Sequence, residues 1–550
     1  MTSRAAAVAD LTGGAAIVKW LERRQVTQVF QVPGESFLPI LDGLRTSAEV
    51  HTVTNRHEAA SAFAAEAYGK VTGRPAVCIV TRGPGAANLS IGLQTAAYDA
   101  TPLLALIGLT PRSEEGGHAF QEIDLTSTFG STVKRVLVAS TRDVLVATLE
   151  QAYLLATTGR PGPVVVGLPT NILYERREEC LTLHGATDGS GGEPDITEAL
   201  AALESAVAPV VLAGTSPVRG QAARSICHLA KVAGIPLVGA WRSYSAVDND
   251  SAEYIGALGL GAPRSVSDTV GSSDCILAFG FAIDQITARS AGFPRPGATV
   301  FQFAPGFDDG LVRHVHPSRA VQYVMDPGAA AEALAASLSG RGTSRLAERP
   351  ARTGERRDHG TELERESSPV QTAVLMTKLN AVLPQDAIVV SDAGNFAQWL
   401  LRHVTFGADR VYLGPRNGAM GYAIPGAVGA SLAAPGRPCW ALCGDGGGLM
   451  TFHDLATAAQ LRRKVRVVVI DNHAYGTIRA RQEQEQPGSL FGTSLGPVDF
   501  AAVAAGFGIP SWTVVADGEL LPALRAMSAV DGPGLVHVRV PERPLAAPAG

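Results

Sequence analysis

Asp445 sits in Gly444-Asp445-Gly446-Gly447-Gly448, directly after the apolar run 440–443, and Asn472 follows 27 residues later in Asp471-Asn472-His473. A carboxylate and an amide oxygen suit a hard dication such as Mg²⁺, with phosphate oxygens and water completing an octahedron. The glycines let backbone N–H groups come close to phosphates. Taken alone, Gly-Asp-Gly is as readily a tight turn; the Asp-Asn pair moves the reading to a Mg²⁺-diphosphate site. A second group is Glu58, in Asn55-Arg56-His57-Glu58 at the head of an alanine-rich helical stretch. It could transfer protons, or it could be an ordinary acidic residue favoured by the helix dipole.

Elements must bring these residues together. The runs 440–443 and 465–470 read as strands, and the stretch 451–463 between them reads as a helix, which makes one βαβ unit. Asp445 and Asn472 then emerge at the carboxyl edge of a parallel sheet, where α/β proteins bind ligands. Similar apolar runs at 76–81, 103–109, 164–168 and 275–280 alternate with longer Ala-rich segments, as parallel strands buried on both faces do. Residues 339–369 carry almost no large apolar side chains, and a softer break falls at 185–196. Three domains are expected, at 1–184, 190–340 and 368–550, with a linker at 341–367.

Composition bounds the rest. The chain has 550 residues, 46% apolar and 18% charged, enough for large cores. Its net charge of −5 argues against a nucleic-acid surface. Six cysteines form no disulfide framework, and Cys439 and Cys443 lack the second pair that a zinc site needs. With no apolar leader and no membrane-length run, a soluble cytoplasmic protein without membrane contact is expected.

The spacing of Gly-Asp-Gly and Asp-Asn resembles the signature of the thiamine-diphosphate-dependent enzymes. The stretches TRGPGAANLS (81–90), AFQEID (119–124), STVKR (131–135), TGRPGPVVVGLP (158–169) and NGAMGYAIPGAVGA (417–430) resemble the acetohydroxyacid (acetolactate) synthase branch. The resemblance implies an α/β chain of three domains. Two thiamine-diphosphate-binding-type parallel-sheet domains, one for the pyrimidine and one for the diphosphate, flank a central Rossmann-like domain. It implies thiamine diphosphate and Mg²⁺ as cofactors. Glu58 would hydrogen-bond the aminopyrimidine N1′ and activate the cofactor, in a site where burial raises a carboxyl pKa. Asp445, Asn472 and the Ala474 carbonyl would hold Mg²⁺, and Met420, beside Gly418 and Gly421, would be the apolar wedge that bends the cofactor. The remaining cofactor contacts fall on Gly34, Gly85, Asn88, Ala393, Gly394, Asn395, Phe396, Gly444, Gly446, Gly447, Tyr475, Gly476 and Thr477. Phe396 stands where the synthases carry a histidine, which removes one polar phosphate contact.

Gln121 and Lys134 match the glutamine and lysine on the substrate side of the synthase site. Lys134 reads equally well as a surface residue before a strand. Of the nearby histidines, His57 either joins the site or only shapes the Glu58 turn, and His118 is either near the site or exposed. Arg481 occupies the position of a tryptophan that selects the second substrate. It is expected either to meet an anionic acceptor or to face solvent on its helix. The central segment resembles the family's FAD-binding domain in outline. Its Gly280-Phe281-Ala282-Ile283-Asp284-Gln285 lacks the arginine of the flavin pattern, and Gly261 replaces a histidine. FAD is therefore doubted, and another nucleotide or a purely structural role stays open.

The implied reaction is decarboxylation of a pyruvate-like 2-oxo acid, followed by ligation to a second carbonyl compound. Alternatives are a simple 2-oxo acid decarboxylase or benzaldehyde-lyase-like carboligase, a 2-hydroxyacyl-CoA lyase, and a cofactor-binding regulatory protein without turnover. The family's domains pair between chains, so a homo-oligomer, at least a dimer, is expected.

Overall fold

Runs of valine, leucine and isoleucine form the central strands of three six-stranded parallel sheets. The computed structural model describes residues 9–179, 195–214, 220–281, 283–292, 295–307, 319–339 and 368–542. The expected linker at 341–367 and most of the break at 185–196 lie outside the described residues. In chain order the early strands are β1 (Ala9–Thr12), β2 (Gln28–Gln31), β3 (His51–Thr54), β4 (Ala76–Val80), β5 (Leu103–Leu109), β6 (Arg135–Val138), β7 (Pro163–Pro169) and β8 (Arg176–Glu179). β1 and β8 make a separate antiparallel pair, and the others order as β3-β2-β4-β5-β7-β6. The central strands are β9 (Pro209–Ala213), β10 (Leu237–Gly239), β11 (Tyr254–Ala257), β12 (Cys275–Phe279), β13 (Thr299–Ala304) and β14 (Arg319–Val324), ordered β11-β10-β9-β12-β13-β14. The last are β15 (Ile388–Ser391), β16 (Val411–Leu413), β17 (Cys439–Gly444), β18 (Val465–Asp471), β19 (Ser511–Val514) and β20 (Gly534–Arg539), ordered β16-β15-β17-β18-β20-β19.

Numbered within each sheet, the first and last sheets share one wiring, 2-1-3-4-6-5, whereas the central sheet runs 3-2-1-4-5-6, the order of a doubly wound nucleotide-binding fold. β4, β7, β12 and β18 are buried along their whole length, as strands covered by helices on both faces must be. The stretch expected as one helix at 451–463 is divided. A helix begins at Asp445 and runs to Thr451, a 3₁₀ turn covers Phe452–Asp454, and a second helix spans Leu455–Gln460.

The chain divides into two compact units, one of residues 1–189, 425–436 and 451–461, the other of residues 190–424, 437–450 and 462–550. Two pieces of the C-terminal segment thus belong to the first unit, and the side chains show why. Asp454, fully buried, accepts both hydrogen bonds of the Asn55 amide at 3.1 Å and one from the Thr457 hydroxyl at 2.7 Å. Arg56 reaches Thr457 and Gln460. A Cβ on Gly429 would sit 1.9 Å from the Ala64 carbonyl oxygen of the helix Glu58–Thr72. That helix is pinned further along by Lys70, whose ammonium lies 3.0 Å from Glu66 and 2.8 Å from Asp99, all three buried. Gly429→Ala should therefore cost about 1–3 kcal/mol by forcing two backbones apart. Scanning calorimetry should show a melting temperature lower by several degrees, and an unchanged melting point would mean that the contact relaxes freely.

Candidate active site

In the second unit the turns that follow β15, β16, β17 and β18 leave the sheet at its carboxyl edge and line one cavity of about 340 Å³. Its lining includes Ala393, Gly394, Asn395 and Phe396 after β15; Gly418 and Met420 after β16; Gly444, Asp445, Gly446 and Gly447 at the end of β17; and Asn472, Ala474, Tyr475, Gly476 and Thr477 after β18. Fifteen residues expected from the sequence to touch the cofactor or its metal are thus brought together.

The local geometry explains the residue types. β17 passes straight into the helix Asp445–Thr451, and a Cβ on Gly446 would lie 2.5 Å from the Tyr475 ring, one on Gly447 2.5 Å from an Asp392 carboxylate oxygen. Only glycine fits there, which leaves bare backbone at the cradle. Gly418 and Gly421 hold φ of +75° and +85°, so the turn around Met420 needs residues without a side chain. The Phe396 ring packs 2.7 Å from where a Cβ of Gly394 would be and 3.7 Å from that of Gly444, an apolar filler beneath the two turns. The Thr477 hydroxyl donates to Asn395 Oδ1 at 2.9 Å and ties the first turn to the last.

The electrostatics suit a cation. Asp445 Oδ2 accepts the Ala474 N–H at 3.0 Å, which places the carboxylate next to the backbone of the third expected ligand. Burial pushes the Asp445 carboxyl up, and the charge of neighbouring Asp471 adds to this. Burial also acts upward on Asp471, but it is outweighed by the His537 hydrogen bond at 2.8 Å and the His473 N–H at 2.9 Å, which hold that carboxyl low. The Asp445 carboxyl, with Asn472 and Ala474 lining the same cavity, offers the kind of oxygen donors a hard cation takes. The bare glycine backbone and this oxygen set fit a diphosphate carried on Mg²⁺.

In the first unit, Glu58 is half-buried at the first turn of its helix and accepts a hydrogen bond from Asn88 Nδ2 at 2.8 Å. His57 caps the helix, its Nδ1 accepting from the Ala59 N–H at 3.1 Å. Gly85 lies against Glu58, where a Cβ would be 3.3 Å from Oε1. Gly34 packs on Thr81, and Gly83 packs on Gln121, itself at φ +59°. Gly34, Glu58, Gly85, Asn88 and Gln121 therefore come from turns around β2, β3 and β4 and the loop after β5. Two expected residues stand apart. The Lys134 ammonium donates to the carbonyls of Leu155 and Thr158 at 2.5 and 2.8 Å, closing the end of the helix Leu145–Thr157. Arg481 is 71% exposed, pairs with Glu485 one turn on, and is absent from the cavity lining. His118 is exposed.

The sequence also left residues without a role. Asp392 is fully buried and accepts the Tyr422 N–H at 2.7 Å, joining the β15 turn to the segment after Met420; burial pushes its carboxyl up to about 6. Its place directly before Ala393-Gly394 was the available signal. Trp241, Arg242, Leu260, Ile286 and Arg416 also line the cavity, and no motif marks them. At the flavin-pattern positions, Gly261 holds φ +82° with Gln398 Cβ 2.6 Å from where its own Cβ would be. Asp284 caps its helix through the Thr287 N–H and pairs with Arg416. Ala282 lies outside the described residues.

Comparison with known proteins agrees with this geometry. Residues 11–128 match the family described as "Thiamine pyrophosphate enzyme, N-terminal TPP binding domain", residues 196–334 its central domain, and residues 392–538 its C-terminal TPP binding domain. The chain is 31% identical over 549 residues to the acetolactate synthase large subunit of Parasynechococcus marenigrum (strain WH8102), covering 93% of this chain and 84% of the relative. It is 30% identical over 494 residues to the acetolactate synthase of Mycobacterium bovis (strain ATCC BAA-935 / AF2122/97), 86% of this chain and 78% of the relative. It is 27% identical over 546 residues to the large subunit of acetolactate synthase isozyme 1 of Escherichia coli (strain K12), 96% and 94%. With three domain matches in register with three parallel sheets, the chain belongs to the thiamine pyrophosphate-dependent enzymes, in their acetolactate synthase-like branch.

Proposed function

We propose that this enzyme removes carbon dioxide from a 2-oxo acid of the pyruvate type and joins the remaining fragment to a second carbonyl compound, with thiamine diphosphate and Mg²⁺ bound. The observation that carries the reading is the convergence of Asp445, Asn472 and Ala474 with the glycine turns in one cavity. When bound, the cofactor would supply a thiazolium carbon that is nucleophilic once deprotonated, and a cationic ring able to take up the electron pair released as carbon dioxide leaves. The chain's residues do the rest. Asp445, Asn472 and the Ala474 carbonyl hold the cation; the backbone around Gly394 and Gly446-Gly447 holds phosphate oxygens. Met420 would support the bound cofactor, and Phe396, Ile470 and Ile478 would line its apolar surroundings.

Glu58, oriented by Asn88, would share a proton with the aminopyrimidine ring nitrogen of the bound cofactor. In a homodimer, Glu58 of one copy would serve the cofactor held by the loops of the other. Gln121 borders the same turn as Gly83 and would contact substrate. Incubation with pyruvate, and separately with 4-methyl-2-oxopentanoate, in the presence of thiamine diphosphate and Mg²⁺ tests the proposal by product analysis. A 2-hydroxy-3-oxo acid of the acetolactate type supports it. Aldehyde alone would point to a simple decarboxylase, and no consumption of either acid would remove the reading.

A further inference from the structure

Two buried polar side chains stand behind the proposed cation site without lining the cavity. β20 reads Gly-Leu-Val-His-Val-Arg, and His537, 0% exposed, interrupts its buried apolar run. The His537 Nε2 donates to Asp471 Oδ2 on neighbouring β18 at 2.8 Å, and its ring meets Phe500 edge-on with centres 5.2 Å apart. Nδ1 has no partner among the described residues, so the bond to Asp471 is what offsets the burial of this ring. Asp471 is buried too, and its Oδ1 accepts the His473 N–H at 2.9 Å. His473 holds φ +55°, a left-handed conformation rare for a residue with a side chain. It stands between Asn472 and Ala474, two of the three groups proposed to hold the cation. The Ala474 N–H reaches Asp445, and the His473 carbonyl accepts the Leu495 N–H at 2.8 Å. A change of conformation at His473 would thus move the Asn472 side chain and the Ala474 carbonyl together. Asp471, His473 and His537 are all absent from the cavity lining.

We infer that His537 is a positioning residue for the cation site: through Asp471 it holds His473 in the left-handed conformation that presents Asn472 and the Ala474 carbonyl to the cation. The inference rests on the Mg²⁺ reading above. Asp471 itself is no further ligand, since one of its oxygens takes the His537 N–H and the other the His473 N–H. It lies close enough to Asp445 for the two carboxyls to repel. The His537 hydrogen bond keeps the Asp471 carboxylate in place against that repulsion, with its other oxygen under the strained turn. A charged acceptor makes that second bond a strong one.

The test is Mn²⁺ binding to the full chain with thiamine diphosphate present, read by the electron paramagnetic resonance of the free ion. Mn²⁺ takes the same oxygen donors as Mg²⁺. His537→Leu should weaken Mn²⁺ binding about ten- to hundredfold, the span for groups behind metal ligands. His537→Gln should bind nearly as the wild type does, because the glutamine amide nitrogen is as many bonds from the backbone as Nε2. Adding His473→Gly to His537→Leu should recover most of the lost affinity. Glycine takes the left-handed conformation freely, whereas a general loosening of the core would not be repaired there. If His537→Leu does not fold, His537→Asn takes its place, its amide nitrogen one bond short of Asp471. Unchanged affinity in the variant without the donor, or a loss that His473→Gly does not recover, would overturn the inference and leave the cation site standing. A loss in His537→Gln as large as in His537→Leu would overturn it too. No Mn²⁺ binding by the wild type would remove the cation reading itself, and the inference with it.

Discussion

Glu58→Gln is expected to bind thiamine diphosphate with affinity close to wild type and to lose about 10²–10⁴-fold in kcat, the range for removing a positioned acid-base group. The two side chains have nearly the same shape. Asn88 Nδ2 can still donate to the remaining amide oxygen at the position where it now meets Oε2, 2.8 Å away, and the Gly85 contact is preserved. What is lost is exchange of a proton with a ring nitrogen, which an amide cannot perform at neutral pH. Calorimetry measures the first quantity and steady-state turnover the second. Turnover near the wild-type rate would take the activating role from Glu58. Weakened cofactor binding with unchanged kcat would make its role one of affinity alone.

Asp445→Asn should weaken Mg²⁺-dependent retention of thiamine diphosphate by at least about a hundredfold, since even groups behind the metal ligands typically contribute ten- to hundredfold. The amide keeps an oxygen for the Ala474 N–H, now 3.0 Å from Oδ2, so the loop after β18 stays in place and the loss is one of charge. The stability of the protein without cofactor should move the other way or not at all. Burial and the Asp471 charge push the Asp445 carboxyl up, so in the absence of a cation the ionised group is a liability that asparagine lacks. Thermal melts with and without cofactor and EDTA separate the two effects. An unchanged cofactor affinity that EDTA still abolishes would move the cation to other ligands.

The diphosphate motif could be read from the sequence because a hard cation accepts few residue types and a strand-turn-helix allows few spacings between them. The buried strands were legible for a related reason: β7 and β18 are covered on both faces, and the run between Arg466 and Asp471 of β18 is wholly apolar, as β7 is throughout. Other features depend on partners far away in the chain. Gly429 lies in a run of small residues that reads as helix interior, and only the Ala64 carbonyl explains it. Lys134 reads equally as a substrate contact and as a surface residue, and its acceptors, the Leu155 and Thr158 carbonyls at the end of a helix, lie 21 and 24 residues on. Arg481 carries the right charge, but none of the residues of its helix, Gly476–Glu485, is buried. Arg242 has no motif around it and is conspicuous only through the hydrogen bonds it does not make.

The common wiring of the first and last sheets bears on how such a chemistry could arise. In both, the turns after the first three strands carry the residues of interest: Gly34, Glu58 and Gly83-Gly85 in one sheet, Gly394, Met420 and Gly446-Gly447 in the other. Glu58 and Met420 follow the same strand of the shared order, the second. The proposed acid-base group and the proposed apolar support thus occupy equivalent posts on two copies of one scaffold. A duplicated ancestor would have needed no new fold to divide the labour, only different loops on identical frames. Whole loops could then be exchanged between the two halves without altering the strand order of either sheet.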